Sequence, residues 1–239
     1  MDDVRQLRID LAAAYRLAVR FGFNEGISNH FSVGLDDGTF LINPHGLHWS
    51  EITASSVLVC DIDGNVVEGD HPVEASALFI HGQTHCAAPQ AKVVLHTHMP
   101  YATALTLLED ARLEPVEQNA LRFHDRIAYD DDYNGPAFDA DEGRRIASKL
   151  GNKKVLFLAN HGVVVTGLTV AEAFDDLYYL ERAAMFQVLA RSTGKPFRRI
   201  PSKVVEDTVE QTGWEHDLAQ LHFAALKRIL DREEPDYVH

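Results

Sequence analysis

The chain has 239 residues, 46% of them hydrophobic, which is enough to form the core of one ordinary α/β domain. Its formal charge of −14 disfavours a nucleic-acid partner, because an acidic surface repels phosphate backbones. The sequence lacks both the run of about 20 apolar residues that a membrane helix needs and the features of a signal peptide. We therefore expect a cytoplasmic protein without a membrane partner.

The first half of the sequence predicts one helix and two hairpins. Apolar residues recur at steps of three and four over residues 4–21 and predict a helix that ends at Gly22. The first hairpin turns at Asp37-Gly38 and the second at Asp63-Gly64, since Asp-Gly pairs tolerate the positive φ angles of tight turns. A further helix is predicted from Pro72, in its first turn, to about residue 86.

The second half alternates strands and helices. Strands are predicted over residues 92–98 and on both sides of Asn160-His161-Gly162, and residues 129–135 are predicted to form a loop. Helices are predicted over residues 100–109, from Asp139 to about Gly151, from Thr169 to about Arg191, and over residues 214–232. This order predicts a single layered domain over residues 1–239, with a mixed sheet covered by helices.

Three histidines are candidate metal ligands. His96 and His98 lie two apart at the end of a predicted strand, so both point to one face at a spacing that one metal ion can accept. His161 lies in a glycine-flanked break between two apolar runs, where packing does not explain it. The alternatives are hydrogen-bonded residues at a strand end and a simple turn.

Glu74, near the start of the predicted helix after Pro72, is the candidate acid or base, and its carboxylate is also able to bind the metal. The alternative is that it stabilises the helix through the macrodipole.

In order and spacing, these residues resemble the class II aldolase and adducin family over nearly the whole chain. The family's two binding loops resemble "NEGISNHFSV", with Gly26, Ser28 and Asn29, and "INPHGLHWSEIT", with Asn43, Pro44, His45 and Gly46. The family's catalytic Glu matches Glu74, its His-x-His pair matches His96 and His98, and its third histidine ligand matches His161.

The resemblance implies a three-layer α/β/α fold with a largely antiparallel sheet, and a homotetramer with active sites at subunit interfaces. It also implies a three-histidine divalent metal site, most often Zn²⁺, with Mn²⁺, Co²⁺ and Fe²⁺ as alternatives. The chemistry is that of a lyase, which breaks a C–C bond through an enediolate that the metal stabilises.

The sequence departs from the sugar-phosphate aldolases of the family at the phosphate site. Two serines usually precede the catalytic Glu, whereas this chain has His71-Pro72-Val73, and His45 stands where serine is common. Fewer hydroxyl donors favour a small unphosphorylated hydroxy- or keto-carbonyl substrate. Ser28, Asn29, His45 and Gly46 are its candidate binding residues. Asn29, His45 and His30 would be the donors, with a role as polar turn residues as the alternative for these three.

A catalytic tyrosine of the aldolases is missing at its usual spacing. Gln118 and Asn119 occupy that neighbourhood, Tyr129 lies nearby, and Tyr237 resembles a tail tyrosine that acts in a neighbouring subunit. A decarboxylase on the same site is therefore the second hypothesis, because loss of carbon dioxide needs no acid for a leaving group. An adducin-like scaffold is the third hypothesis, and an iron-dependent oxygenase is the fourth.

Overall fold

The structure, a computed structural model, describes residues 3–88, 90–109, 112–137, 139–212 and 216–239. Its helices within these ranges are α1 (Val4–Phe21), α2 (Ala75–Ala87), α3 (Pro100–Thr106), α4 (Gln118–Leu121), α5 (Ala140–Leu150), α6 (Val170–Arg191), α7 (Ser202–Thr212) and α8 (His216–Glu233). Its strands are β1 (His30–Gly34), β2 (Phe40–Ile42), β3 (Leu58–Cys60), β4 (Val66–Glu68), β5 (Val93–Thr97), β6 (Ile127–Asp130), β7 (Val155–Leu158) and β8 (Gly162–Gly167).

The strands form one mixed sheet in the order β4-β3-β2-β1-β5-β8-β7-β6. All neighbouring pairs are antiparallel except β6 and β7, which are parallel. Strand β5 therefore lies near the centre, where His96 stands opposite His30 of β1 and Val164 of β8. The predicted largely antiparallel sheet is confirmed.

Helices cover both faces of the sheet. On one face, Val93 and Leu95 of β5 pack in a core with residues of α1, α6 and α8. On the other face, Val94 packs with residues of α2 and α5. Because side chains alternate along a strand, His96 also faces the α2 side. The three-layer α/β/α arrangement is confirmed.

The predicted elements are found, with differences at several boundaries and with some elements that were not predicted. Helix α2 begins at Ala75 rather than in the turn of Pro72, because Glu74 is still extended with ψ of 137°. Strand β6 takes the first two residues of the predicted loop 129–135, and its pairing with β7 is a long-range contact that local pattern does not reveal. Helices α4 and α7 were not predicted, and the predicted start of the last helix at residue 214 lies outside the described residues.

None of the helices in the described ranges has the length and apolar character required to cross a membrane.

Two helical glycines give a test of the packing between α2 and α5. A Cβ at Gly143 of α5 would lie 2.3 Å from the Phe79 carbonyl oxygen of α2, so Gly143→Ala forces the two helices apart. We expect a loss of about 1–3 kcal/mol in the free energy of unfolding, measured by denaturant titration.

Gly82→Ala in α2 is the matched control. The nearest atom to a Cβ there is the Ile62 carbonyl oxygen at 3.6 Å, an ordinary contact. Alanine has the higher helix propensity, so this variant should be as stable as the parent or up to about 1 kcal/mol more stable. Equal stabilities of the two variants would contradict the close approach at Gly143.

Candidate metal centre

His96, His98 and His161 converge at the ends of β5 and β8. Their candidate ligand nitrogens all lie within 4.8 Å of one another. The ring centroids are 5.2 Å apart for His96 and His98, and 4.8 Å apart for each of these with His161. Because zinc–nitrogen bonds are about 2 Å long, small rotations of the side chains suffice to bring all three nitrogens to one ion.

The turn between β7 and β8 has the residues that this approach requires. Asn160 has a φ of +55°, in the left-handed region that asparagine tolerates better than most residues. A Cβ at Gly162 would lie 2.6 Å from the Thr97 carbonyl oxygen and 2.7 Å from the His98 ring. Only glycine therefore lets β8 start this close to the end of β5, which brings His161 to the other two histidines.

The surroundings of the histidines suit metal binding. The Val163 carbonyl accepts a hydrogen bond from His96 Nδ1 at 3.0 Å, which requires the proton on Nδ1 and leaves Nε2 as a ligand atom. His98 Nε2 is buried and has no hydrogen-bond partner among the described residues. This orphaned nitrogen beside two further imidazoles fits a divalent ion of the zinc type.

Burial and the neighbouring rings keep these histidines neutral. Burial first, and then the other histidines, lower the pKa of His96 well below its usual value and that of His161 to about 4. The pKa of His98 is lowered as well, mainly by burial. A neutral imidazole is the form that binds a metal.

Glu74 precedes α2, but its side chain makes no capping hydrogen bond to the helix. Its carboxylate instead accepts a hydrogen bond from Ser76 Oγ at 2.8 Å and lies 3.3 Å from His30 Nε2. The hydrogen bond from His30 is the largest cause that lowers the Glu74 pKa, to about 2. The carboxylate is therefore ionised at neutral pH, and the contacts favour a role in the site over one in helix stabilisation.

Glu74 and the three histidines line the same cleft, which has a volume of about 270 Å³. Its other polar lining residues are Ser28, Asn29, His30, Ser76 and Tyr133. Neither lysine nor arginine is among the described residues that line it. The cleft combines a small volume, three neutral imidazoles and one carboxylate.

The first predicted binding loop reaches the cleft, whereas the second supports it from outside. Ser28 and Asn29 line the cleft, and the Asn29 side-chain oxygen accepts a hydrogen bond from the His98 backbone N–H at 3.2 Å. His45 and Gly46 are exposed and are not among the described residues that line it. The His45 N–H donates to the Pro72 carbonyl at 2.8 Å, which ties this loop to the segment before Glu74.

The four residues considered in place of the missing catalytic tyrosine do not line the described cleft. Gln118 is exposed and Asn119 half-buried on α4, and the Tyr129 hydroxyl on β6 accepts a hydrogen bond from the Leu113 N–H at 3.0 Å. Tyr237 is 1% exposed in the core beside α1, and its hydroxyl donates to Asp231 at 2.8 Å. This burial in its own subunit argues against the predicted role of Tyr237 in a neighbouring one.

The sequence interpretation missed Tyr133 and Ser76. Ser76 is two residues after Glu74, and serine there was not recognised as a partner of the carboxylate. Tyr133 is 54% exposed in the loop after β6. Its position at the cleft depends on the pairing of β6 with β7, so no local sequence signal indicated it.

Gly162→Ala tests the close approach of β5 and β8. The added methyl group must displace the Thr97 carbonyl or the His98 ring, so we expect the purified protein to lose most of its bound divalent metal, measured by inductively coupled plasma mass spectrometry. Asn160→Gly is the control, because glycine keeps the left-handed backbone. Normal metal content in Gly162→Ala would contradict the proposed geometry.

Comparisons with known proteins identify the family of this chain. The family model of the Class II Aldolase and Adducin N-terminal domain matches residues 9–188. A protein of Caulobacter vibrioides, named provisionally as an aldolase class 2 protein, is 36% identical over 237 residues, which are 97% of this chain and 91% of the relative. The decarboxylase NovR of Streptomyces niveus is 33% identical over 234 residues, which cover 94% of this chain and 86% of that protein.

Mouse alpha-adducin is 38% identical over 188 residues, which cover 76% of this chain but only 25% of the adducin. Among solved structures, an aldolase II superfamily protein from Pseudomonas syringae has a TM-score of 0.92 and 35% identity, with 100% of this chain and 97% of that one covered. The matched segment contains the metal-ligand candidates and Glu74. The chain therefore belongs to the class II aldolase and adducin family.

Proposed function

We propose that the protein is a metal-dependent lyase that cleaves a C–C bond of a small, unphosphorylated hydroxy- or keto-carbonyl compound. The observation that carries this proposal is the shared cleft, in which three neutral histidines and the ionised Glu74 lie together. An adducin-type scaffold has no use for this combination. The adducins of the family support the scaffold as an alternative, but the match covers only 25% of the length of mouse alpha-adducin.

His96, His98 and His161 would hold the divalent ion, most often Zn²⁺. Lewis-acid polarisation of the substrate carbonyl is the chemistry that such an ion supplies when bound. Glu74, ionised and held by Ser76 and His30, accepts the proton of the substrate hydroxyl as the C–C bond breaks, and then returns it to the carbon of the other product. The Asn29 side chain fixes the backbone at His98, which keeps the ligand set in place.

The cleft favours an uncharged or singly charged substrate over a sugar phosphate. A phosphate dianion needs several aligned donors or a cation, and the described lining residues include neither lysine nor arginine. The segment His71-Pro72-Val73 has no hydroxyl to add. A volume of about 270 Å³ also suits a small molecule.

A decarboxylase on the same site is the second candidate. Two observations favour it: a relative named as a decarboxylase is 33% identical over 94% of this chain, and none of the four residues considered in place of the aldolase tyrosine lines the described cleft. Decarboxylation needs the same stabilisation of negative charge but no proton transfer at a leaving oxygen. Retro-aldol cleavage, in contrast, begins with proton removal by a base. The contacts of Glu74 keep its carboxylate ionised, which is the form that acts as a base.

The homotetramer implied by the family resemblance, and the cytoplasmic location expected from the sequence, belong to the same proposal. Light scattering coupled to size-exclusion chromatography measures the first of these directly. An iron-dependent oxygenase is a further alternative, which the metal identified in the purified protein would test.

Glu74→Gln tests the role of the carboxylate. The protein, loaded with zinc, manganese or cobalt, is screened for retro-aldol and decarboxylation activity on unphosphorylated hydroxy- and keto-acids. The variant should lose about 10²- to 10⁴-fold in kcat, because amide nitrogen and oxygen cannot accept the proton, while its metal content stays unchanged. Glu68→Gln, at an exposed carboxylate on β4, is the control, and full activity of Glu74→Gln would refute the assignment.

Tyr133→Phe distinguishes the two candidate reactions. Tyr133 contributes the phenol among the described residues of the cleft, and we infer that it hydrogen-bonds the carbonyl oxygen of a departing aldehyde. We expect about a tenfold or larger loss in kcat for retro-aldol cleavage and little change for decarboxylation, in which no aldehyde forms. An equal kcat on a retro-aldol substrate would remove Tyr133 from the mechanism.

A further inference from the structure

A chain of hydrogen bonds runs behind Glu74, away from the cleft. His30 Nδ1 lies 3.3 Å from His81 Nε2, His81 Nδ1 lies 2.5 Å from Ser32 Oγ, and Ser32 Oγ lies 2.7 Å from His85 Nε2. The chain ends at the Ala91 carbonyl, 2.9 Å from His85 Nδ1. His30, Ser32 and His81 are at most 3% exposed, so water does not replace these contacts.

The Ala91 carbonyl sets the direction of the hydrogen bonds. A carbonyl only accepts, so His85 Nδ1 carries a proton and donates to it. Burial lowers the pKa of His85 to about 4, so the ring is neutral and its Nε2 has no proton. Ser32 therefore donates its hydroxyl proton to His85 Nε2.

The same argument assigns the donor and acceptor of each hydrogen bond from Ser32 to His30, at the cleft. The single hydroxyl proton of Ser32 is used in the hydrogen bond to His85. The Ser32 oxygen therefore accepts a hydrogen bond from His81 Nδ1. Burial also keeps His81 neutral by lowering its pKa, so His81 Nε2 is unprotonated and accepts from His30 Nδ1. His30 Nε2 is then the ring atom directed at Glu74, 3.3 Å from a carboxylate oxygen.

We propose that Ser32, His81 and His85 are positioning residues that fix the orientation of the His30 ring, and through it the orientation of the Glu74 carboxylate. This proposal rests on the proposed role of Glu74 in proton transfer. One Glu74 oxygen faces His30 and the other accepts from Ser76, so the carboxylate is held from two sides. If one of these hydrogen bonds is lost, the orientation of the His30 ring is no longer fixed. The Glu74 carboxylate then loses one of its two contacts, the one with His30.

The secondary structure around these residues favours this series of hydrogen bonds. His30 and Ser32 are two apart on β1 and face the same side, and His81 and His85 are four apart on one face of α2. A Cβ at Gly34 would lie 3.1 Å from His85 Nδ1, so glycine there leaves room for the ring. Strand and helix thus present complementary donors and acceptors to each other.

Tautomers measured by NMR test the chain directly. In zinc-loaded protein labelled with ¹⁵N-histidine, His81 and His85 should both show the Nδ1–H tautomer, with signals assigned from the variants His81→Gln and His85→Gln. Ser32→Ala should abolish the fixed Nδ1–H tautomer of His81, since the alanine offers no acceptor. An Nε2–H tautomer at either ring in the parent protein would overturn the proposal.

Kinetics test the positioning role. Ser32→Ala should lower kcat by about ten- to a hundredfold, with KM and metal content unchanged, because the carboxylate is misplaced rather than removed. Thr84→Val is the matched control: it removes another buried hydroxyl, whose bond goes to Ile80 of the same helix, and should keep kcat. Unchanged kcat in Ser32→Ala would overturn the role.

Gly34→Ala provides a second variant if Ser32→Ala does not fold, because its methyl group presses on His85 at the far end of the chain. It should lower kcat in the same way and alter the His85 signals, and unchanged kcat together with altered signals would overturn the role. If Glu74→Gln proves fully active, the proposed function fails on its own. The tautomers of His81 and His85 then still decide whether the chain exists.

Discussion

The pairing of β5 with β8 is the constraint on which the candidate metal centre depends. It sets Thr97 opposite Val163 and brings the turn that contains His161 beside the end of β5. The same pairing supplies the Val163 carbonyl that fixes the tautomer of His96. A shift of one residue would turn every side chain of β8 to the other face and remove that turn from the site. Fold and chemistry are therefore determined by one register.

Buried polar side chains support the loop that lines the cleft. The buried Tyr15 hydroxyl accepts a hydrogen bond from the Phe31 N–H and lies 2.7 Å from Asn43, which in turn contacts the Asn29 carbonyl. Asn29 has a φ of +73° and holds the backbone at His98. Buried polar groups are costly unless they are paired, and each of these side chains has a hydrogen-bond partner that fixes its orientation. The loop is therefore held by buried, hydrogen-bonded side chains.

Much of the fold was readable from the sequence, because its signals are local. The helix over residues 4–21 and the Asp-Gly hairpins follow from periodicity and turn chemistry, and His96 and His98 from alternation along one strand. What depends on distant pairing was not readable. The edge strand β6 and the approach of Tyr133 to the cleft required the parallel contact with β7, and the contact between Ser32 and His81 required the packing of α2 on β1.

The sheet also separates the residues of the candidate site from most of the apolar core. The face covered by α1, α6 and α8 holds the larger apolar core, whereas the ligands and the hydrogen-bonded histidines lie on the α2 side. A lineage can then exchange the histidines for apolar residues while most of the core that folds the domain is left intact. Such a division is consistent with a family that takes in both aldolases and adducins. The presence of the three histidines, more than overall sequence similarity, is then the feature by which members of the family should be classified.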